Sequence, residues 1–200
     1  MEELVLNDLA VTFDRCLEYW HSEPGDYHLT DLHLNLFALE LAYRNYLLWH
    51  EEDKARRTDV DDGVIAKVKR AIDRYNQERN DLIEKLDEQI LAWIEQHIPT
   101  TAEATNSETP GNIVDRISIL SLKIYHMAED AKRTDISEEH RKRSLMKLEV
   151  LKAQRRDLHV ALITLFDDYL AGRKMMKLYR QFKMYNDPAL NPELYGRRDA

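Results

Sequence analysis

The chain has 200 residues, of which 44% are hydrophobic and 33% are charged, and its formal net charge at pH 7 is −8. This length and composition indicate one ordinary domain with a sizeable core, and the acidic balance disfavours a general nucleic-acid binder. With only five Gly, five Pro and one Cys, the sequence argues against an all-β chain and excludes an intrachain disulfide.

Apolar periodicity and capping residues predict six helices in chain order. The second starts at Thr30, and the fourth and fifth start after Thr109 and Ser137, which are all good N-cap residue types. Gly172 supplies the stop of the fifth helix. The predicted helices span about residues 4–21, 30–57, 63–96, 110–132, 138–171 and 173–185.

These helices predict an all-α fold, a single-domain bundle of about five long helices plus a short C-terminal helix over residues 1–185, followed by an irregular tail over residues 186–200. Residues 98–106 form a polar linker of the kind that is mobile or carries a lid. The start of the chain lacks the features of a signal peptide, and no apolar stretch approaches membrane-spanning length. Together with the lone thiol of Cys16, these features predict a soluble cytoplasmic protein.

Several ordered motifs along the chain are similar to those of one known family. They are LWHEED (48–53), KRAID (69–73), NQERND (76–81), SETPG (107–111), DRISIL (115–120) and KMYNDP (183–188). On these motifs the chain resembles the bacterial domain-of-unknown-function 4254 family over nearly its whole length. The resemblance implies a helical bacterial protein and carries over no catalytic residue.

Polar residues within the apolar arcs of these helices are the candidate functional residues, because their burial costs several kcal/mol unless each finds a partner. His50 and Asp53 are three residues apart on the inward arc of the second helix. The functional interpretation is acid–base catalysis by His50, oriented by the Asp53 carboxylate. The alternative is a core histidine held by Asp53 or by a backbone carbonyl.

Arg79 lies near the middle of the apolar arc of the third helix, with Asn76 at its edge and Asn80 beside it. A guanidinium cannot lose its proton, so it requires a carboxylate or an anionic ligand. The functional interpretation is a binding site for an anionic ligand formed by Arg79, these amides and Gln154 of the fifth helix. The alternative is an internal ion pair of Arg79 with one of three aspartates, Asp53, Asp115 or Asp157.

A divalent-metal site is a further hypothesis. His126 and Glu129 have a spacing compatible with two ligands of one metal, although a single His-x-x-Glu is a weak signal. Magnesium suits the carboxylates better, because it binds a few carboxylates together with water and substrate phosphate. The candidate metal ligands are Asp53, Asp115, His126 and Glu129.

The segment after Gly172 carries five basic residues and no acidic residue as far as Met184. It predicts either a basic helix that contacts a membrane surface or a protein partner, or a terminal helix docked through Leu178, Tyr179 and Phe182. No motif for sequence-specific nucleic-acid recognition occurs.

Two classes of function fit these patterns. The first is an intracellular ligand-binding protein or enzyme acting on a phosphorylated small molecule such as a nucleotide or sugar phosphate, with Arg79 binding the anion and His50 as acid or base. The second is a non-catalytic interaction or scaffold protein whose buried polar network fixes helix register. A cavity that opens to solvent at Arg79 favours the first class, and a closed ion-pair network favours the second.

Overall fold

A computed structural model describes residues 8–24, 36–98, 101–184 and 187–196. Helices make up most of these residues and no strand occurs among them, which confirms the predicted all-α bundle. The helices are α1 (Leu9–Ser22), α2 (Leu36–Ala55), α3 (Asp62–His97), α4 (Pro110–Lys132), α5 (Glu138–Leu170) and α6 (Pro192–Tyr195).

Two helix pairs form most of the bundle, α2 with α3 and α4 with α5. Helix α4 also contacts α1, α2 and α3 and therefore lies at the centre. The apolar arc of each helix supplies the core, in which Phe13, Trp20 and Tyr169 are among the largest fully buried side chains. Burial of each such group stabilises the fold by roughly 1.5–3 kcal/mol.

Side-chain caps fix where three of the helices begin. The Thr109 hydroxyl accepts a hydrogen bond from the backbone N–H of Asn112 at 3.3 Å, and the Ser137 hydroxyl accepts one from His140 at 3.1 Å. Both predicted caps are confirmed. Asp61 caps α3 in the same way. The predicted cap Thr30 lies outside the described residues.

A buried carboxylate joins the start of α4 to α3. Asp87 accepts hydrogen bonds from the Thr109 hydroxyl and, at 2.7 Å, from the Gly111 backbone N–H. Burial raises the pKa of Asp87 to about 6, against the opposing effect of these two donors. A Cβ at Gly111 would lie 2.8 Å from the Ile83 carbonyl oxygen, so the close approach of the two helices requires glycine here.

The predicted sixth helix over residues 173–185 is wrong in its described part. Gly172 has a φ of 65°, and the chain then continues without helical structure as far as Lys183. Of the three residues predicted to dock this segment, Tyr179 and Phe182 are 45% and 78% exposed and Leu178 is half-buried, whereas Met176 is buried. The short C-terminal helix is instead α6.

This segment is held by polar contacts along the chain. The backbone N–H of Met175 donates to the Ala104 carbonyl at 2.9 Å, which anchors the segment to the predicted linker before α4. Arg180 pairs with Glu84 and Glu88 of α3 at 3.0 and 2.7 Å. Arg180 therefore pairs within the protein instead of contacting an external anionic surface. This pairing argues against the predicted role of the segment as a basic docking helix.

Candidate functional site

Arg79 is part of a partly buried polar network between α2, α3 and α4. Its guanidinium donates to both oxygens of Asp115, at 2.9 and 2.8 Å, and more weakly to Asn76 at 3.3 Å. Asn45 donates to Asp115 at 2.8 Å and to Ser118 at 2.7 Å. We call these five residues the Arg79 network. Asp115 is one of the three aspartate partners expected for Arg79.

A cleft of about 410 Å³ opens beside the Arg79 network, and Asp53 and Asn76 line it. Among its described lining residues, each arginine faces a carboxylate. Arg79 is paired with Asp115 and Arg56 with Glu52. Asp53 adds a further negative charge and is exposed rather than inward. The cleft therefore has no surplus positive charge for a phosphate.

His50 belongs to a different cluster, on the side of α2 that faces α1 and α4. One ring nitrogen from each of His21, His50 and His126 lies within 4.8 Å of the others. In each ring Nε2 is buried, and it has no hydrogen-bond partner in the described part of the chain. We call these three residues the trihistidine cluster. An unpartnered buried nitrogen costs about 1–3 kcal/mol, so three together need an explanation.

The other ring nitrogens of two histidines are already engaged. Nδ1 of His21 lies 2.7 Å from the Leu17 carbonyl oxygen, so it carries the proton and donates. Nδ1 of His126 lies 3.0 Å from a carboxylate oxygen of Glu129. These contacts leave Nε2 of each ring as a lone-pair donor, which is the arrangement found in metal-binding histidines.

Burial and mutual repulsion favour the neutral form of two of these rings, His21 and His50. Burial is the largest cause that lowers the pKa of His21 and of His50 below the ordinary value of 6.5. The neighbouring histidines lower both values further, whereas Glu129 opposes the shift at His21 and Asp53 opposes it at His50. Neutral imidazole is the form that binds a metal.

Aromatic rings hold the cluster in place. Tyr125 stacks on His21 with ring centroids 4.1 Å apart, and Trp49 stacks on His126 at 4.8 Å. Tyr46 contacts His50 edge-on at 4.5 Å, and its hydroxyl donates to the Trp20 carbonyl at 2.9 Å. The three rings therefore sit in a packed apolar surround that restricts their rotation.

The structure separates the residues predicted for one site. Asp53, Asn76 and Arg79 line the cleft, His50 lies in the trihistidine cluster, and Gln154 is exposed on α5. The inward position predicted for Gln154 is wrong, because α5 packs chiefly against α4 and leaves part of its apolar arc outside. Asn80 is buried, as its position near the apolar arc suggests.

The four predicted metal ligands do not converge either. His126 and Glu129 are in contact, but Asp115 is committed to Arg79 and Asp53 lies at the cleft. The sequence analysis missed His21 entirely. A signal was present, because His21 follows Trp20 at the edge of the apolar arc of α1 and lies four residues after buried Leu17.

The lone thiol is not a nucleophile. Cys16 is buried in the core, and burial raises its pKa to about 12. A thiolate is therefore disfavoured near neutral pH.

The protein is therefore an all-helical bundle in which two polar clusters, the Arg79 network and the trihistidine cluster, lie between the helices. The chain belongs to the family described as protein of unknown function (DUF4254), whose model matches residues 36–178. His50 and His126 lie within the matched region and His21 precedes it. No curated protein and no solved structure matches the chain. Within the described residues, no helix combines the length and apolar character needed to cross a membrane.

Proposed function

We propose that this protein binds a divalent transition metal, most suitably Zn²⁺, through His21, His50 and His126. The observation that carries the proposal is the convergence of three ring nitrogens within 4.8 Å, in rings whose buried Nε2 atoms have no partner among the described residues. Imidazole suits Zn²⁺, Cu²⁺ and Ni²⁺, whereas Mg²⁺ requires oxygen ligands.

The separation of the nitrogens is compatible with such an ion. Three points no more than 4.8 Å apart have a common centre within about 2.8 Å of each, and Zn–N bonds measure about 2.0–2.1 Å. Each ring needs to move inward by less than about 1 Å. Metal binding through the Nε2 atoms would then satisfy all three buried nitrogens at once, which no hydrogen bond among the described residues does.

A site with three neutral histidine ligands resembles a catalytic zinc site more than a structural one. Structural zinc sites usually have four protein ligands, whereas three histidines leave one position for water. An ion with three neutral ligands keeps its double charge and lowers the pKa of bound water to about 7. Because the free nitrogens are shielded from solvent, the fourth ligand is expected to be as small as water or hydroxide.

The contacts of Arg79 support a different role from the predicted anion binding. Its guanidinium is bidentate to Asp115, which leaves little capacity for a phosphorylated ligand. The Arg79 network therefore favours the function of fixing the register of α2, α3 and α4, as the scaffold alternative expects. This role is compatible with metal binding elsewhere in the bundle.

Titration of the metal-free protein with Co²⁺ and Zn²⁺ tests the proposal. We expect one equivalent of Co²⁺ to give visible absorption bands that Zn²⁺ removes by displacement. The variants His21→Ala, His50→Ala and His126→Ala should each weaken zinc binding at least tenfold, since each removes a ligand. The matched control His97→Ala removes an exposed histidine at the end of α3 and should bind normally. Absence of stoichiometric binding, or equal binding by all four variants, would overturn the proposal.

Glu129 is expected to tune this site without binding the metal. Its carboxylate contacts Nδ1 of His126, and loss of such a partner typically lowers metal affinity by about 10–100-fold. We therefore expect Glu129→Gln to weaken zinc binding within this range, as measured by competition with a chromogenic chelator. The control Glu139→Gln alters an exposed acid of α5 and should leave the affinity unchanged. An unchanged affinity in Glu129→Gln would contradict the assigned role.

A further inference from the structure

A separate apolar groove of about 990 Å³ lies between α4 and α5. Its walls include Met127, Leu151 and three markedly exposed residues of α5, Leu145, Met146 and Val150, which are 48%, 71% and 56% exposed. The volume is at the upper end of the range for small-molecule sites, about 300–1,000 Å³. Exposed apolar side chains that line one groove indicate a binding surface.

The acidic side chains that line the groove have charged or hydrogen-bonding partners, whereas the lysine side chains do not form ion pairs within the described ranges. Of the acids, Asp130 is paired with Arg133 at 3.3 Å and accepts from Ser144 at 2.6 Å, and Glu149 is paired with Lys152 at 2.9 Å. The two basic residues, Lys123 and Lys147, are exposed and have no ion pair within the described ranges. The free charge at this apolar groove is therefore positive.

We propose that the groove binds one anionic amphiphile of the long-chain carboxylate class. The hydrocarbon chain lies against the methionine and aliphatic walls, and the carboxylate lies between Lys123 and Lys147. Methionine suits such a chain, because its flexible thioether adapts to variable shapes. The three exposed residues Leu145, Met146 and Val150 cannot supply the roughly 1,000 Å² expected of a stable protein interface. They can, however, cover one hydrocarbon chain.

The groove shares a wall with the trihistidine cluster. Trp49 and His126 both line the groove, and their rings are stacked with centroids 4.8 Å apart. Ligand binding in the groove requires no metal, so this proposal stands independently of the proposed metal function.

Fluorescence titration of the metal-free full-length protein with cis-parinaric acid, a fluorescent long-chain carboxylate, tests the proposal. We expect saturable binding with one site per chain, at least tenfold weaker binding of the corresponding long-chain alcohol in competition, and a similar loss in the Lys123→Glu/Lys147→Glu variant. Val150→Glu, at an exposed position in the groove wall, should abolish binding while circular dichroism stays unchanged. Lys142→Glu is the matched control, because it reverses an exposed charge of α5 outside the groove.

Three results would overturn the proposal. They are absence of saturable binding, equal affinity for acid and alcohol, and unchanged affinity in Val150→Glu. Sedimentation velocity tests the groove as a contact between two copies of the chain. Concentration-dependent dimers that Val150→Glu dissociates, without parinaric acid binding, would assign the groove to self-association instead. Repeating the parinaric acid titration with His50→Ala separates the groove proposal from the metal proposal. This variant should lose zinc affinity but bind parinaric acid as the wild-type protein does.

Discussion

Replacement of Arg79 by alanine is expected to lower the free energy of unfolding by about 3 kcal/mol, the lower end of the usual cost of removing one partner from a buried ion pair, because Arg79 itself is only partly buried. Asp115 is 4% exposed and receives two hydrogen bonds from the guanidinium. Without Arg79 its carboxylate keeps, among the described residues, only Asn45 as a side-chain donor. Urea unfolding followed by circular dichroism measures the loss.

Two comparison variants show whether the loss of stability comes from breaking this ion pair or from removing any arginine of α3. Arg74→Ala removes an exposed arginine of the same helix, whose ion pair with Glu78 is 3.8 Å long, and should cost less than about 1 kcal/mol. The double variant Arg79→Met/Asp115→Leu should be more stable than Arg79→Ala, because no buried charge is left unpaired. A cost for Arg79→Ala no larger than that for Arg74→Ala would contradict the assigned role of the network.

Much of the fold could be predicted from the sequence because its signals are local. Thr109 and Ser137 cap α4 and α5 through contacts only three residues away. Gly172 ends α5 because it adopts a positive φ that other residues rarely adopt. In these long amphipathic helices the capping residues, the apolar periodicity and the tertiary packing all favour the same helical structure.

The segment after Gly172 could not be predicted in this way. Its residues favour a helix, but a helix of about twelve residues is marginal in water without tertiary support. Burial of Met176 and the pairing of Arg180 with two acids of α3 stabilise a non-helical path instead. These contacts join residues more than ninety positions apart, and such distant pairings cannot be inferred from periodicity.

The candidate site shows the same limit. Helical spacing placed His50 and Asp53 on one arc, but Asp53 lines the cleft between α2, α3 and α4, whereas His50 lies against His21 of α1 and His126 of α4. Two residues three positions apart therefore face different neighbours. His21 and His126 join His50 only through the packing of three helices. A helical wheel shows that a residue points inward, but not which inward-facing residues meet.

Zinc stabilisation of the fold is expected to be large near neutral pH and to disappear in acid. A ligand at 1,000 times its dissociation constant stabilises the native state by about 4 kcal/mol, which for a chain of this size raises the melting temperature by about 8–16 °C. We expect this increase for the wild-type protein and an increase smaller by at least about 3–6 °C for His50→Ala, because tenfold weaker binding removes about 1.4 kcal/mol of the stabilisation. His97→Ala should retain the full increase.

The pH dependence follows from the lowered pKa values of His21 and His50, which burial causes. In the unfolded chain these rings bind protons as the pH falls through about 6.5, whereas in the folded protein they stay neutral to lower pH. The metal-free protein should therefore lose stability as the pH falls below 6.5 towards the folded-state values. Protons also compete with zinc for Nε2, so that the zinc-dependent increase in melting temperature should shrink over the same range. Thermal unfolding between pH 5 and 7.5, with and without zinc, measures both effects. An increase of the same size at pH 5 and pH 7.5 would show that the metal binds to groups other than these histidines.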